Sequence, residues 1–467
     1  DYPPTTRPGD FVEVSIVTDS HTDSLLVPRI AVVSERGQRS VYVVDGARTP
    51  FLKARGRPGP FRASDLAVAA GRALLMRIGV APDLIDQVVL GCVSSGPDEA
   101  NVARVVALRL GCGDRVPAWT VQRNCASGMQ ALESAALDIA GGRSELVLAG
   151  GTEAMSHHPV MLNELMVAWL GAWSQARGLG ARGRTLMQLR ARHFKPVIAL
   201  LRGLTDPVVG LSMGQTAEEL AERFGITREV MDAYAVRSHQ RLAEARDRDR
   251  LDEIEPLYDS QGLVYEHDDG LRADSSRDAL ARLRPVFDRP IGRVTAGNSA
   301  QVSDGAALLL LASGDAVERL DLPVLGRITD SQWAGLDPAQ MGLGPVHAMA
   351  PILQRHGLDS DAIDVWEINE AFAAQVLACT AAWQSEAFCR DVLQRDAAFA
   401  PIDEARLNVD GGGVSLGHPV GASGARITLH ALKVMQRQGV QRGIASLCIG
   451  GGQGGALLLE RDGGSAA

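Results

Sequence analysis

Asn124-Cys125-Ala126-Ser127-Gly128-Met129-Gln130-Ala131 opens an alanine-rich amphipathic stretch that ends in the apolar run Leu146-Val147-Leu148-Ala149 and the pair Gly150-Gly151. Near the other end of the chain, Ala422-Ser423-Gly424 opens a second such stretch, which ends in Ala445-Ser446-Leu447-Cys448-Ile449-Gly450-Gly451. A helix, a strand and glycines thus recur in one order, which reads as a duplicated unit. Ala-Ser-Gly is cheap enough to recur by chance, so the order of elements carries the reading. Two copies set face to face would bring their glycine-rich turns together.

Working outward, Ser40-Val41-Tyr42-Val43-Val44 reads as a buried strand ending at Asp45-Gly46. Ala67 to Ile78 and Asn101 to Leu110 have helical periodicity, and Gln87-Val88-Val89-Leu90 is a strand. This alternation predicts an α/β protein with helices packed on mixed sheets. Between the copies the composition changes. No acidic residue occurs from Leu165 to Gly203, while Arg177, Arg182, Arg184, Arg190, Arg192, Lys195 and Arg202 accumulate among Trp169, Trp173, Leu186 and Phe194. Two amphipathic basic helices joined by a glycine turn are expected there. A more acidic, helix-forming stretch from Ala217 to Glu255 follows, and the whole reads as an inserted middle domain.

With 467 residues, 46% of them apolar, the chain exceeds one compact core, and two or three domains are expected. A net charge of −9 argues against a nucleic-acid partner. Six scattered cysteines without a C-x-x-C pair fit a reducing compartment rather than a disulfide scaffold. No apolar run reaches the roughly 18 residues of a membrane span. The first residues lack the plan of a secretory signal or a transit peptide, although the chain starts at Asp1 and a trimmed start is equally compatible.

Four segments carry candidate chemistry. Cys125 stands where a turn enters a helix, and there free backbone N–H groups and the helix dipole stabilise a thiolate. The alternative is a small buried apolar cysteine. His418 lies in Gly411-Gly412-Gly413-Val414-Ser415-Leu416-Gly417-His418-Pro419, a loop whose glycines permit close backbone approach. It suits proton transfer, or it is a plain loop histidine. Cys448 ends a strand before Gly450-Gly451-Gly452 and could simply pack there. Asn369 follows the strand Val365-Trp366-Glu367-Ile368 and has N-cap character, which is the structural alternative for it. Gly178-Leu179-Gly180-Ala181-Arg182-Gly183 spells G-x-G-x-x-G but follows no strand, so it reads as the turn between the basic helices. His157-His158 lacks other ligands at metal spacing and reads as a loop pair, so no metal site is assigned.

Together, the Cys125 segment, Asn369-Glu370-Ala371-Phe372, Gly417-His418-Pro419 and Cys448-Ile449-Gly450-Gly451-Gly452 resemble the four signature blocks of thiolases, in the same order. Asp45-Gly46-Ala47-Arg48-Thr49-Pro50-Phe51, Gly151-Thr152-Glu153-Ala154-Met155-Ser156, Thr295-Ala296-Gly297-Asn298-Ser299 and Ser303-Asp304-Gly305-Ala306 extend the resemblance over residues 40–461. It implies the thiolase fold, two duplicated βαβαβαββ halves in a layered α-β-α-β-α core with an inserted, mostly helical loop domain. The implied division is a leader at 1–39, an N-terminal half at 40–155 and 295–321, a loop domain at 156–294 with the basic insertion at 165–203, and a C-terminal half at 322–467. By resemblance, Cys125 is the nucleophile and acyl carrier, His418 its base and an oxyanion donor, and Cys448 the acid and base. Asn369 positions a water, and Gly450 and Cys125 supply backbone oxyanion donors. Ser299, Ala296 and Met213 are the implied CoA and acyl contacts. CoA is a substrate, and no tightly bound cofactor is implied.

The resemblance also implies a homodimer or a dimer of dimers. The basic insertion and a second insertion, from Ala387-Phe388-Cys389-Arg390 to Arg406, resemble β subunits of fatty-acid oxidation complexes. That subgroup implies an α subunit as partner, and 165–203 could lie on a membrane surface, meet the CoA phosphates or serve as a solvated lid. Bacterial cytoplasm, or the mitochondrial matrix in a eukaryote, is the implied location. Two departures stand out. Many thiolases have a second hydroxyl residue where Ala300 stands, and short-chain acetoacetyl-CoA thiolases often have a histidine where Ser212 stands. The expected activity is degradative 3-ketoacyl-CoA thiolysis. The rivals are acetoacetyl-CoA thiolase and a catalytically silent CoA-binding or lipid-binding relative.

Overall fold

The computed structural model describes residues 40–461; 1–39, where the leader is expected, and 462–467 lie outside the described residues. The first half contains β1 (Val41–Arg48), α1 (Ala63–Ile78), β2 (Gln87–Gly91), α2 (Val102–Leu110), β3 (Ala118–Val121), α3 (Ser127–Ala140) and β4 (Leu146–Ala154). A long excursion follows, with α4 (Glu164–Gln175), α5 (Leu179–Met187), α6 (Met213–Arg223) and α7 (Arg228–Asp247), before β5 (Ser303–Ser313) rejoins the sheet. The second half contains β6 (Gly326–Gly335), α8 (Gly344–His356), β7 (Val365–Ile368), α9 (Ala373–Trp383), α10 (Val420–Gln438), β8 (Arg442–Ile449) and β9 (Gln453–Glu460).

The duplication is visible in the strand pairing. In the first half β2 runs parallel to β4, β4 antiparallel to β5, and β5 antiparallel to β1. In the second, β7 runs parallel to β8, β8 antiparallel to β9, and β9 antiparallel to β6. The halves join edge to edge where Tyr42 pairs with Arg327 and Val43 with Gly326, so the strand order is β7-β8-β9-β6-β1-β5-β4-β2-β3.

Both faces of each half-sheet are covered, and the two-residue period of the strands sorts side chains between layers. Leu308 and Leu310 of β5 join the cluster containing Leu66 and Leu74 of α1 and Val106 of α2. Their neighbours Leu309 and Leu311 face the central layer with Met129 and Leu132 of α3 and Ile427 and Leu429 of α10. In β9, Leu457 and Leu459 also face that central layer, while Leu458 packs outward against Val346 and Ile352 of α8 and Val376 of α9. These are the five layers α-β-α-β-α. Truncating one of these leucines to alanine typically costs about 2–5 kcal/mol.

The two central helices pack through the repeated tripeptides. A Cβ added at Gly128 would lie 2.7 Å from the Gly421 carbonyl oxygen, and one at Gly424 would lie 2.6 Å from the Met129 amide nitrogen. The glycine of each Ala-Ser-Gly is therefore where backbone meets backbone, which gives the repeat a physical cause beyond chance.

Three sequence expectations change. The first strand does not end at Asp45-Gly46; a bulge between Val43 and Asp45 lets β1 continue to Arg48. Gly150-Gly151 is not a turn but the interior of β4, because side chains there would strike the carbonyls of Ala307 and Gly421. In the excursion, α4 contains no basic residue, so the pair of basic helices is one apolar helix and one basic helix, α5. The Trp169 indole N–H donates to the Thr185 carbonyl at 2.8 Å and Arg182 lies over the Trp173 ring, which closes this hairpin. Of the G-x-G-x-x-G stretch, Gly178 makes the turn and the remainder lies in α5.

A buried ionic cluster ties the excursion to the body. Arg48 makes a bidentate pair with Asp268 and reaches Glu253 at 3.2 Å. Glu253 in turn meets His430 Nδ1 of α10 at 3.0 Å, while Asp410 lies 3.4 Å from His430 Nε2. Burial alone would push His430 down, but the carboxylates outweigh it and hold the ring protonated, up to about 10. The second insertion folds back on the outer layer, where the Phe399 ring stacks on Trp383 at 3.9 Å.

Candidate active site

Cys125 sits just before α3, and the residue preceding it is forced into an unusual shape. Asn124 adopts φ 44°, a left-handed conformation that Asn tolerates better than most side chains. Its amide donates to the carbonyl oxygen of Gly450 at 2.8 Å, fastening the nucleophile turn of one half to the β8–β9 hairpin of the other. The backbone N–H groups of Gly450 and of Cys125 itself act to lower the Cys125 thiol. Burial nevertheless pushes the thiol up, and these two donors offset only part of the rise. The helix terminus and desolvation thus act in opposite directions on this half-buried thiol.

His418 follows the short helical turn Gly413–Leu416 and is 9% exposed. Burial and then the nearby Arg426 guanidinium lower it to about 4, so the ring is neutral at physiological pH and free to accept a proton. Its Nδ1 lies 2.6 Å from Ser423 Oγ and its Nε2 3.5 Å from Asn369 Nδ2. Asn369 is buried, and its N–H donates to the Ser446 carbonyl of β8. The N-cap alternative for Asn369 fails, because α9 begins at Ala373 with Phe372 as its cap. Asn369 Oδ1 is buried without a hydrogen-bond partner among the described residues.

Cys448 ends β8 beside Met341 and Ala371, with Met213 and Phe372 packed against them. Burial, then the neighbouring Cys125 and Cys379 thiols, push it well above the ordinary thiol range. Cys125 and Cys448 are thus neighbouring neutral thiols, and His418 is a neutral imidazole. Such a set can deprotonate one thiol, hold charge on an adjacent oxygen and deliver a proton from the second. Among the described residues, no group of three or more His, Cys, Asp or Glu side chains could hold a metal ion. His157 Nε2 instead lies 3.0 Å from the Gly59 carbonyl.

The remaining sequence candidates lie on α6 and on the segment before β5. Met213 is the first residue of α6, and a Cβ on Gly450 would lie 3.2 Å from its sulfur. Ser299 and Ala300 run antiparallel to Ala371-Phe372, with the Ala300 N–H donating to the Ala371 carbonyl. The Ser299 hydroxyl donates to the Thr295 carbonyl at 2.7 Å, whereas Ala296 is exposed. Ser212 caps α6, accepting from the Gln215 N–H.

Sequence reading overlooked two buried carboxylates that hold the site together. Glu370 accepts from Tyr234, Ser238, Asn408 and the Val414 N–H, joining α7 to the loops carrying Asn369 and His418. Glu153 accepts from the N–H groups of Val93, Ser94 and Gly421. The available signal was an acidic residue inside an otherwise apolar or glycine-rich block.

A two-cysteine acyltransferase is the class this fold and site define. Residues 41–315 match the family model described as thiolase, N-terminal domain, and 322–461 that described as thiolase, C-terminal domain. The chain belongs to the thiolase family. It is 36% identical to a 3-ketoacyl-CoA thiolase of Yersinia pestis (strain Pestoides F), over 92% of this chain and 99% of that one. Among solved structures it is similar to the Bacillus anthracis acetyl-CoA acetyltransferase, with 37% identity, a TM-score of 0.78, and 91% and 100% of the two chains covered. It is also similar to human mitochondrial 3-ketoacyl-CoA thiolase in complex with CoA, with 35% identity, a TM-score of 0.78, and 91% and 99% covered.

Proposed function

We propose that this thiolase cleaves 3-ketoacyl-CoA with CoA, giving acetyl-CoA and a shortened acyl-CoA, in fatty-acid β-oxidation. The observation that carries the reading is the 2.8 Å bond from the Asn124 amide to the Gly450 carbonyl, which brings the Cys125 turn to the hairpin that follows Cys448. His418 takes the Cys125 proton, and the sulfur attacks the keto carbonyl. The bond between the α and β carbons breaks, its electron pair leaves as the acetyl-CoA enolate, and Cys448 supplies the proton that the enolate needs. Cys448, now a thiolate, takes the proton of incoming CoA, whose sulfur displaces the acyl group from Cys125, and the Cys125 thiolate so released recovers its proton from His418. The Gly450 and Cys125 N–H groups hold one developing oxyanion, and His418 with a water on Asn369 holds the other; one such donor is worth about 3–4 kcal/mol of barrier.

CoA enters as substrate, and no tightly bound cofactor is required by these steps. Medium-to-long chains are favoured, because Ser212 stands where short-chain enzymes often have histidine. The likeness to an acetyl-CoA acetyltransferase supports the second reading, an acetoacetyl-CoA thiolase. Incubation with a 3-ketoacyl-CoA should leave an acyl mass on Cys125, and thiolysis rates should rise beyond the four-carbon substrate. Full thiolysis by Cys125→Ala would overturn the mechanism, and a rate confined to acetoacetyl-CoA would favour the second reading.

The same reading takes the enzyme as a homodimer or dimer of dimers, checked by its mass in solution. The hairpin around α4 and α5 exposes Val160, Leu162, Val167, Leu186, Met187 and Phe194 beside its arginines, which supports docking to an α subunit or an anionic lipid surface. Co-purification and sedimentation with anionic vesicles separate these partners.

A further inference from the structure

His418 uses its two ring nitrogens for different neighbours, and these neighbours determine where its proton sits. The Asn369 amide nitrogen 3.5 Å from Nε2 can only donate, so Nε2 faces it as an acceptor. Ser423 Oγ, 2.6 Å from Nδ1, is also 3.0 Å from the Pro419 carbonyl, which can only accept. The Pro419 carbonyl also accepts from the Ala422 and Ser423 N–H groups; with the serine proton shared there, the serine lone pair faces Nδ1. The matching serine of the first copy also donates to a carbonyl, that of Asn124 three residues back at 2.7 Å, but it accepts from the Arg123 N–H at 2.9 Å rather than facing a ring nitrogen.

We propose that Ser423 is a positioning residue that holds resting His418 as the Nδ1–H tautomer, leaving the Nε2 lone pair, on the Asn369 side, to take the Cys125 proton. The second half of this statement rests on the proposed function; the tautomer itself does not. In the step, the S–H bond of Cys125 breaks, its electron pair stays on sulfur, and an N–H bond forms at Nε2. Nδ1–H remains donated to Ser423 before and after, so the ring does not turn when it becomes charged. A neutral hydroxyl orients the imidazole without raising its basicity as a carboxylate would.

The test is nitrogen-15 NMR of the full chain carrying labelled histidine, with the His418 signals assigned by their loss in His418→Gln. At neutral pH, Nδ1 should show the protonated type of shift and Nε2 the lone-pair type. Ser423→Ala should give mixed tautomers and a thiolysis kcat lower by roughly tenfold, with KM changed by less than about twofold. An Nε2–H tautomer in the unsubstituted protein overturns the proposal. So does a Ser423→Ala protein that keeps the pure Nδ1–H form, slowed or not, or that turns over at the full rate. If Ser423→Ala fails to fold, the spectrum of the unsubstituted protein decides. A protein with this tautomer but no acyl mass on Cys125 loses the proposed reaction and keeps the tautomer.

Discussion

The Asn124 amide donates across 2.8 Å to the carbonyl oxygen of Gly450, 326 positions away in sequence. This bond fastens the Cys125 turn of one half of the fold to the β8–β9 hairpin of the other. Asn124 meets two demands at once, a left-handed backbone and a donor of the right length.

Separating those demands is a direct test. Asn124→Gly keeps the backbone but loses the clasp, and Asn124→Ala loses both. Stability should fall by about 1 kcal/mol for glycine and by about 1–3 kcal/mol more for alanine, read from denaturant midpoints. Acyl transfer to Cys125 should slow in both, because the Gly450 donor is no longer fixed.

Cys125 reactivity should follow an unactivated thiol. Its pKa is raised by burial and His418 is lowered to about 4, so no thiolate–imidazolium pair forms at rest. The rate of alkylation by iodoacetamide should climb steadily from pH 7 into the alkaline range. A plateau reached below pH 7 would contradict the neutral resting state.

Replacing Cys448 by Ala should lower thiolysis by about 10²–10⁴-fold, the usual worth of a positioned acid or base. Cys125 should still accept an acyl group from a plain acyl-CoA, as checked by intact mass, since that exchange needs no carbon acid.

His430 links acid–base chemistry to stability. Its folded pKa lies above its ordinary value of 6.5, so its contribution is fully present below about 6.5 and is lost as pH rises toward about 10. His430→Gln should cost about 1–3 kcal/mol near neutrality, by removing the charge between Glu253 and Asp410, which keep Arg48 and Arg437 as partners. The difference in melting temperature between the two proteins should shrink on the alkaline side.

Gly128→Ala and Gly424→Ala should each destabilise by about 1–3 kcal/mol or more, because the new methyl meets backbone rather than a flexible side chain. Thermal unfolding measures the loss, and substitution of exposed Gly180, with open space around it, is the control.

The fold class was legible, and the candidate site residues could be nominated, because both are carried by local pattern: alternating apolar runs, a cysteine at a helix entrance, a histidine among glycines. The repeat of Ala-Ser-Gly disclosed the duplication, although only the packed helices show that its glycines are contact points. Other features were invisible because they depend on charge and burial shared between distant segments. Glu370 and Glu153 look like ordinary acids until Tyr234, Ser238 and the backbone of Val93, Ser94 and Gly421 are brought to them. The basic helix pair was misread because composition counts arginines without assigning them to one helix or the next.

For Cys125 the division is sharpest. Its residue type and its place before a helix are properties of the sequence alone, since the helix begins wherever local preference and the Ser127 turn start it. Its protonation is a property of the tertiary structure. Burial raises the thiol, Gly450 lowers it, and Arg426 and burial keep His418 neutral; each effect depends on distance and desolvation between groups that neighbour one another only in the folded chain.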